Sequence, residues 1–319
     1  MLLECAPYCT QQIDALSRGL TLREIQPPPA TGEHPWLTDF QKELARQDLA
    51  AVTVRGYGTD VADFLRWYGS AALDRLTRVD LLHYRQHLTK DRNAKPATVN
   101  RKLEALRRFS RWAHSHGKLA EHVAAEVTLT RAVRGQCPKG LNAAEVQALL
   151  RAAGQSRHGL ARRNYALTQV LLQTGLQVSE VARLQIGDLA LHERSGEVRV
   201  HGKGAKERTV PLNTAARRAI QAYLDGRDPL SPRAPVFLSE TGAGISVRSI
   251  QAVVAELARR AKITRLAVSA HSCRHTFALS FLKQHPGKLV ELAALLGHDS
   301  VETAAIYTKP SAEEMEPKI

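Results

Sequence analysis

Residues 271–309 read HSCRHTFALSFLKQHPGKLVELAALLGHDSVETAAIYTK, and this stretch decides the interpretation of the whole chain. His271 and Arg274 are three residues apart, so a helix presents both side chains on one face. His298 follows a glycine, and Tyr307 comes nine residues later. Direct attack on a phosphodiester needs a nucleophile, cations on the phosphate oxygens and an acid for the leaving oxygen. The stretch therefore supplies candidates for such chemistry within a segment that is predicted to be helical.

Two segments upstream supply further candidates for the same site. Residues 174–184 read TGLQVSEVARL and contain Gln177 and Glu180. Residues 201–212 read HGKGAKERTVPL, in which a glycine-containing turn separates two short β patterns. The turn places Lys203 at the tip of a predicted hairpin.

Breaks in the pattern divide the chain into four parts. Residues 1–33 form an N-terminal extension that ends in the turn-rich QPPPATGEHP. Residues 34–131 are predicted to form a helical domain, and 132–140 a linker with glycine and proline but no periodicity. Residues 141–319 form the second domain, which carries all of the motifs above.

Apolar residues in the first domain recur at helical spacing. One stripe runs from Val54 to Tyr68, and another follows Pro96, from Val99 to Trp112. The polar side of the second helix is strongly basic. We predict contact with phosphates for the residues Arg101, Lys102, Arg107, Arg108 and Arg111.

The second domain is predicted to be helical around a small sheet. Asn142 and Glu145 have the spacing of a capping box at the start of a helix, and a further helix spans about 159–174. EVRVHG and ERTVPL predict the hairpin, VFLS at 236–239 is a further candidate strand, and 246–307 is helical again. The predicted fold is mainly α with a small β-sheet.

The charge balance favours a polyanionic partner. The formal net charge is +14, and it divides into −2 for residues 1–33, +7 for 34–134 and +9 for 135–319. Both large segments are thus basic, as expected for a protein that binds a phosphate backbone on two sides.

The sequence does not indicate a membrane protein, a secreted protein, a disulfide-rich protein or a metal-binding protein. No apolar run is long enough to span a membrane, and the N-terminus is a poor signal peptide, so we expect a cytoplasmic protein without a membrane partner. The cysteines are too scattered for a disulfide framework or a metal site; they are Cys5, Cys9, Cys137 and Cys273.

The resemblance rests on four motifs, at residues 174–184, 201–212, 271–278 and 295–309. Their order, spacing and flanking residues resemble the catalytic domain of tyrosine recombinases, of the Xer, phage-integrase and transposon type. The resemblance covers about residues 35–310. It implies a two-domain, C-shaped DNA clamp, in which a helical, SAM-like core-binding domain accompanies a mixed α/β catalytic domain. It also implies a site-specific recombinase that cleaves and rejoins double-stranded DNA without a cofactor or a metal.

The resemblance also assigns roles to residues. Tyr307 would attack the scissile phosphate and form a 3′-phosphotyrosyl bond, which conserves the bond energy. Arg274, beside His271, would hold two phosphate oxygens in a bidentate fork. His298 would donate a hydrogen bond to the phosphate.

Two catalytic and two DNA-binding residues complete the set that the resemblance implies. Lys203 would protonate the leaving 5′ hydroxyl, and Glu180 would be the buried acid that orients the site. Lys206 and Arg208, in the same hairpin motif, are candidate DNA-binding residues.

One residue departs from the family pattern. Arginine ordinarily follows TGL, and here the position holds Gln177, which has no charge. The glutamine is an engineered substitution, or it is natural and Arg162, Arg163 or Arg183 supplies the charge, or the protein is a cleavage-deficient relative that binds DNA. A transition-state arginine is worth ~10³–10⁵ in rate, so the residue bears directly on activity.

The family also implies partners. Four protomers would assemble on two specific recombination sites, with the C-terminal tail docked on a neighbour, and an accessory protein is possible. Two other interpretations are a DNA-binding factor without cleavage and a type IB topoisomerase. The small size and the helical first domain disfavour the topoisomerase.

Overall fold

The computed structural model describes residues 34–47, 49–129, 137–155, 159–202, 207–225, 227, 231–298 and 300–309. The chain divides into two compact units, with the division between residues 133 and 134. The N-terminal extension, residues 132–136 of the predicted linker, Lys203 and Lys206 lie outside the described residues.

Helices make up the first unit. Proline opens two of them, because it lacks an N–H group and suits the first turn of a helix, and a capping box between Thr77 and Asp80 opens a third. The α-helices are α1 (Pro35–Arg46), α2 (Ala51–Tyr68), α3 (Arg78–Gln86) and α4 (Pro96–Ser115). A 3₁₀-helix (Ser70–Arg75) and a π-helical turn (His87–Asp91) lie between them.

The predicted apolar stripes form the core of this unit. Phe64 of α2 and Phe109 of α4 are fully buried, and the aromatic rings of Phe40, Phe109 and Trp112 pack within 5.3–5.7 Å of one another. The two helices predicted from the apolar spacing are therefore confirmed. Burial of large side chains at about 25 cal/mol per Å² is the main source of stability here.

A polar network lies beside this core. The Tyr84 hydroxyl donates to Asp63 at 2.9 Å, and the Lys102 ammonium lies 2.7 Å from Asp63 and 3.5 Å from the buried Asp60. Burial raises the pKa of Asp63, but the hydrogen bonds from Lys102, Tyr84 and Arg92 outweigh it and lower the pKa to about 2. The hydrogen bond from Tyr84 ties α2 to α3, and the ion pairs of Lys102 tie α2 to α4.

The second unit combines helices with one small sheet. Its α-helices are α5 (Ala143–Gly154), α6 (Ala161–Thr174), α7 (Val178–Arg183), α8 (Thr214–Leu224), α9 (Val247–Arg260), α10 (Ala270–Gln284), α11 (Leu289–Leu296) and α12 (Val301–Ala304). Two 3₁₀-helices span Ile186–Asp188 and Ala305–Thr308. The strands are β1 (Leu189–Leu191), β2 (Gly196–His201) and β3 (Glu207–Pro211).

Helix α6 lies at the centre of this unit. Leu167, Val170 and Leu171 are fully buried, and the helix packs against α5, α8 and α10. The predicted capping box between Asn142 and Glu145 is present at the start of α5. The C-terminal end of α6 and the N-terminal half of α10 thereby come together, and this junction carries the site described below.

The sheet is antiparallel, with the strand order β1-β2-β3. Val198 pairs with Val210, and both are buried, so the hairpin predicted from the alternating pattern is confirmed. The candidate strand VFLS at 236–239 is wrong: with the described residues this segment makes no ladder, and its β-pairing is one isolated bridge between Leu238 and Gly244. β1 forms the third strand instead.

The fold class predicted from the sequence, mainly α with a small β-sheet, is confirmed. Among the described residues, no helix is both long and apolar enough to cross a membrane.

Candidate active site

Arg274 is the buried cation around which the site is built. Its Nη1 donates to the carbonyl of Gly175 at 2.6 Å, and its Nη2 donates to the carbonyl of Leu296 at 2.8 Å. These carbonyls stand at the C-terminal ends of α6 and α11, where helix carbonyls lack partners and carry partial negative charge. Burial lowers the pKa of Arg274, and the charge of Glu180 opposes that shift. The guanidinium is thus held in one orientation by two helix ends.

Glycines end both helices because the chain turns there with a positive φ. Gly175 has φ +64° and Gly297 has φ +68°, a conformation that residues with a side chain rarely adopt. A Cβ atom on Gly297 would also lie 2.8 Å from Nη1 of Arg208. The glycine therefore lets the Arg208 guanidinium approach the backbone directly before His298.

His298 contacts Arg274. Its Nε2 lies 3.0 Å from Nη2 of Arg274, and since an arginine only donates, Nε2 accepts and the proton of the neutral ring is on Nδ1. Burial lowers the pKa of His298, and the charges of Arg274 and Arg208 lower it further. The imidazole is consequently neutral near pH 7 and sits beside the fixed cation.

Tyr307 is buried in the 3₁₀-helix that follows α12. Its hydroxyl lies 2.8 Å from Nδ1 of His275, the residue after Arg274, and the two rings are 5.6 Å apart. Burial raises the pKa of the tyrosine, and Arg274 opposes that shift. The side chain that the sequence proposes as the nucleophile therefore meets the same turn of α10 that carries the arginine.

His275 was not among the residues predicted from the sequence. Burial lowers its pKa to about 4, and the charges of His271 and Arg274 act in the same direction. His271 is exposed, and its ring lies 5.7 Å from that of His275. The sequence HSCRH could have identified His275, because a histidine four residues after His271 lies on the same helix face.

Glu180 is buried and accepts three hydrogen bonds. Arg208 donates Nη1 and Nη2 to its two oxygens at 2.7 and 2.9 Å, and the backbone N–H of Gln177 donates to Oε2 at 2.7 Å. The Nε of Arg208 donates to the Leu295 carbonyl at 2.9 Å. Gln177 itself is exposed at the start of α7. The pairing of Arg208 with Glu180 was not predicted, since residues 28 positions apart carry no spacing signal.

The basic residues of α4 have different environments. Arg101 pairs with Asp60, Lys102 with Asp60 and Asp63, and Arg107 with Glu104 at 2.6 Å. The Lys102 side chain is only 12% exposed, so its charge serves the fold.

Arg108 and Arg111 lie further along the same helix. Arg108 bonds Gln47 and lies over the ring of Tyr57, and Arg111 is exposed. Contact of the α4 residues with DNA stays a prediction, and it is best supported for Arg108 and Arg111.

The chain matches two protein families. Residues 139–314 match the phage integrase family, and residues 36–116 match the N-terminal SAM-like domain of phage integrases. The chain is 32% identical over 276 residues to the tyrosine recombinase XerC of Xanthomonas campestris pv. campestris, covering 86% of this chain and 82% of the relative. It is 33% identical over 281 residues to XerD of Bifidobacterium longum, covering 84% and 89%.

Solved structures show the same fold. XerH bound to its difH substrate before cleavage matches with a TM-score of 0.69 at 21% identity, over 88% of this chain and 82% of that one. A lambda integrase dimer bound to a COC′ core site matches with a TM-score of 0.68 at 16% identity, over 85% and 96%. The resemblance stated from the motifs is confirmed: the chain belongs to the phage integrase family and is a tyrosine recombinase.

Proposed function

We propose that this protein cleaves and rejoins DNA at a specific site, with Tyr307 as the nucleophile. One observation carries the proposal: the Tyr307 hydroxyl lies 2.8 Å from His275, and the neighbouring Arg274 is fixed by two helix ends and contacts His298. A hydroxyl nucleophile and a preorganised cation in one buried cluster suit attack on a phosphodiester.

In the proposed reaction the tyrosine oxygen bonds to the phosphorus as the bond to the 5′ oxygen breaks. Nδ1 of His275, which contacts the hydroxyl, receives the phenolic proton, and Arg274 stabilises the charge on the phosphate oxygens. Lys203 gives a proton to the leaving 5′ oxygen, which becomes a hydroxyl. The 3′-phosphotyrosyl bond conserves the energy of the broken bond, so religation reverses the step without ATP or a metal.

The remaining residues position these groups or bind the duplex. Glu180 orients the site through Arg208 and the backbone of Gln177. His298 donates to the phosphate from Nε2 once that nitrogen is released from Arg274 and carries a proton. His271 is exposed one turn before His275, and in the proposal it takes part in the same reaction. Lys206, Arg108 and Arg111 contact the phosphate backbone.

The assembly is also part of the proposal. DNA-bound structures of relatives support double-stranded DNA as the partner. We infer a tetramer on two recombination sites, with an accessory protein as a possible further partner and the cytoplasm as the location. That the two units enclose the duplex as a C-shaped clamp stays a prediction, as does the division into a core-binding domain and a catalytic domain at 132–140.

A covalent adduct tests the proposal. Duplexes that bind the protein are first selected from a random-sequence pool, and a nick is then placed near the centre of the selected site so that the cleaved fragment diffuses away. The enzyme accumulates a protein–DNA adduct that survives denaturing electrophoresis. A DNA-binding factor without cleavage, the alternative that Gln177 raises, accumulates none.

A further inference from the structure

Because Gln177 stands where the family has an arginine, the expected phosphate site has one guanidinium fewer. Another arginine could supply the missing charge only if it lies close to that site. Arg162 and Arg163 belong to the first turn of α6, whereas Gln177 follows its last turn, about 18 Å away along the helix axis. Arg163 is moreover buried against Asn164 and the carbonyl of Leu238. Neither arginine stands at the site.

Arg183 is a third candidate, at the last residue of α7. Its side chain is exposed, and its Nε donates to the Ser179 carbonyl in its own helix. This bond ties the guanidinium to the surface of α7.

Unlike these three arginines, Arg208 lies beside Arg274 at the end of α11. It and Arg274 donate to consecutive carbonyls at the end of α11, Arg208 to Leu295 at 2.9 Å and Arg274 to Leu296 at 2.8 Å. The same helix end leads through Gly297, against which the Arg208 guanidinium packs, to His298. The two guanidiniums therefore lie side by side at one helix terminus, next to a residue expected to contact the phosphate.

The connection to position 177 is equally short. Oε2 of Glu180 accepts from Nη2 of Arg208 at 2.9 Å and from the backbone N–H of Gln177 at 2.7 Å. One carboxylate oxygen thus joins the guanidinium to the very residue that lacks the charge.

Arg208 also has donors to spare. A guanidinium carries five N–H groups, and the bonds that Arg208 makes with the described residues, to Leu295 and Glu180, use three of them, which leaves one on each Nη. The side chain is 16% exposed, which leaves it accessible from one side. Because Glu180 and the helix end already fix the fork, donation to a phosphate oxygen needs little reorganisation.

We propose that Arg208, reaching in from β3, supplies the second positive charge at the scissile phosphate in place of an arginine at position 177. This inference rests on the proposed function. This role differs from the DNA-binding role that the sequence predicts for Arg208, because the charge would act on the reacting phosphate itself during attack.

The test is the single-turnover rate of adduct formation on the nicked duplex at saturating DNA. Arg208→Gln should slow it at least ~100-fold, the loss typical of a preorganised donor at developing charge. Arg183→Gln, the same change on a neighbouring arginine, is the matched control and should keep the rate. Thermal unfolding checks that each variant folds, and Glu180→Gln with Arg208→Gln removes the buried unpaired carboxylate if the single variant does not fold.

Two further measurements separate a charge at the phosphate from a purely structural role. Gln177→Arg should restore at least about tenfold of the rate lost in Arg208→Gln, since it returns a guanidinium to the site. A duplex whose scissile phosphate is a neutral methylphosphonate should reduce the loss caused by Arg208→Gln to less than about tenfold, because the oxygen charge is gone.

The outcomes are distinct. An unchanged rate for Arg208→Gln, or a loss that is equally large on the methylphosphonate and is not restored by Gln177→Arg, overturns the role of Arg208 and leaves the proposed function standing. No adduct from the unaltered chain on any selected duplex overturns both.

Discussion

Nδ1 of His275 and the hydroxyl oxygen of Tyr307 are 2.8 Å apart, in a pocket where burial raises the pKa of the phenol and lowers that of the imidazole to about 4. Both groups are neutral near pH 7, so the bond joins a neutral phenol to a neutral imidazole. When Nε2 carries the proton of the His275 ring, Nδ1 accepts from the Tyr307 hydroxyl, so a proton acceptor is in contact with the proposed nucleophile. The bond also holds the tyrosine side chain in place.

We predict that His275→Ala slows adduct formation by ~100-fold or more, the usual contribution of a general base. His275→Asn should stay slow, since its amide oxygen can accept the hydrogen bond and hold the hydroxyl but takes no proton. Single-turnover rates at saturating DNA measure both variants. Full recovery with asparagine would mean that His275 only positions the tyrosine.

Tyr307→Phe should bind the selected duplex with unchanged specificity and form no covalent adduct. The substitution removes only the hydroxyl, so the buried ring keeps its packing, and the lost hydrogen bond to His275 costs about 1 kcal/mol of stability. Gel-shift titration measures binding, and denaturing electrophoresis measures the adduct. Adduct formation at the original yield would assign the nucleophile to another residue.

Acid should destabilise the fold through His275. Its pKa falls from 6.5 to about 4 on folding, so between these values the unfolded chain binds a proton that the folded chain does not. Stability is thus lost as pH falls from about 6.5 to 4, by at most about 3 kcal/mol at 1.36 kcal/mol per pKa unit, and by less to the extent that solvent screens the half-buried ring.

Urea unfolding at pH 7 and pH 5 measures this effect. His298, whose pKa is lowered by burial and by two arginines, contributes in the same direction. The difference between the unaltered chain and His275→Asn isolates His275, because asparagine does not titrate. An equal loss of stability in both proteins would contradict the assignment.

Much of the fold could be predicted because local spacing determines it. The stripe on α4, the capping box of α5 and the β2-β3 hairpin each depend on residues close together in sequence. The prediction of a strand at VFLS is wrong because its apolar residues are buried without a partner strand among the residues that the structure describes. Val236 and Phe237 pack in the core. An apolar run alone does not distinguish these cases.

The site was only partly predictable. Arg274 contacts His298, and Tyr307 contacts His275, the residue after Arg274; the catalytic roles that the motifs imply stay predictions. The bond between Arg208 and Glu180 and that between His275 and Tyr307 join residues 28 and 32 positions apart, and only tertiary packing brings them together.

The basic face of α4 should separate into residues that bind DNA and one that holds the fold. Replacing Arg108 and Arg111 by glutamine should weaken DNA binding and reduce the slope of log affinity against log salt by ~0.9 for each phosphate that is no longer neutralised. Lys102→Gln should instead destabilise the protein by about 3 kcal/mol, because it removes a cation from the buried Asp60 and from Asp63.

Salt titrations of binding and urea unfolding of both variants provide the measurements. A reduced salt slope with unchanged stability for Lys102→Gln would return this lysine to the DNA-binding set. An affinity of the unaltered chain that hardly depends on salt would contradict electrostatic binding altogether.

Gln177→Arg in the otherwise unaltered chain should change the rate of adduct formation by less than about tenfold, which is 1.4 kcal/mol of transition-state stabilisation. Arg208 already occupies both oxygens of Glu180, so a new guanidinium at 177 finds no carboxylate to orient it. It also meets a second positive charge nearby, which disfavours the same position at the phosphate.

The single-turnover rate at saturating DNA decides the matter, since affinity is held by many other cations and should barely change. Negative charge builds on the phosphate oxygens during attack, and an added guanidinium stabilises it strongly only where no cation is yet bound. A rise of tenfold or more would therefore show that the phosphate of the unaltered protein lacks a cation. In that case Gln177 limits the rate of this recombinase, and Arg208 serves to hold Glu180.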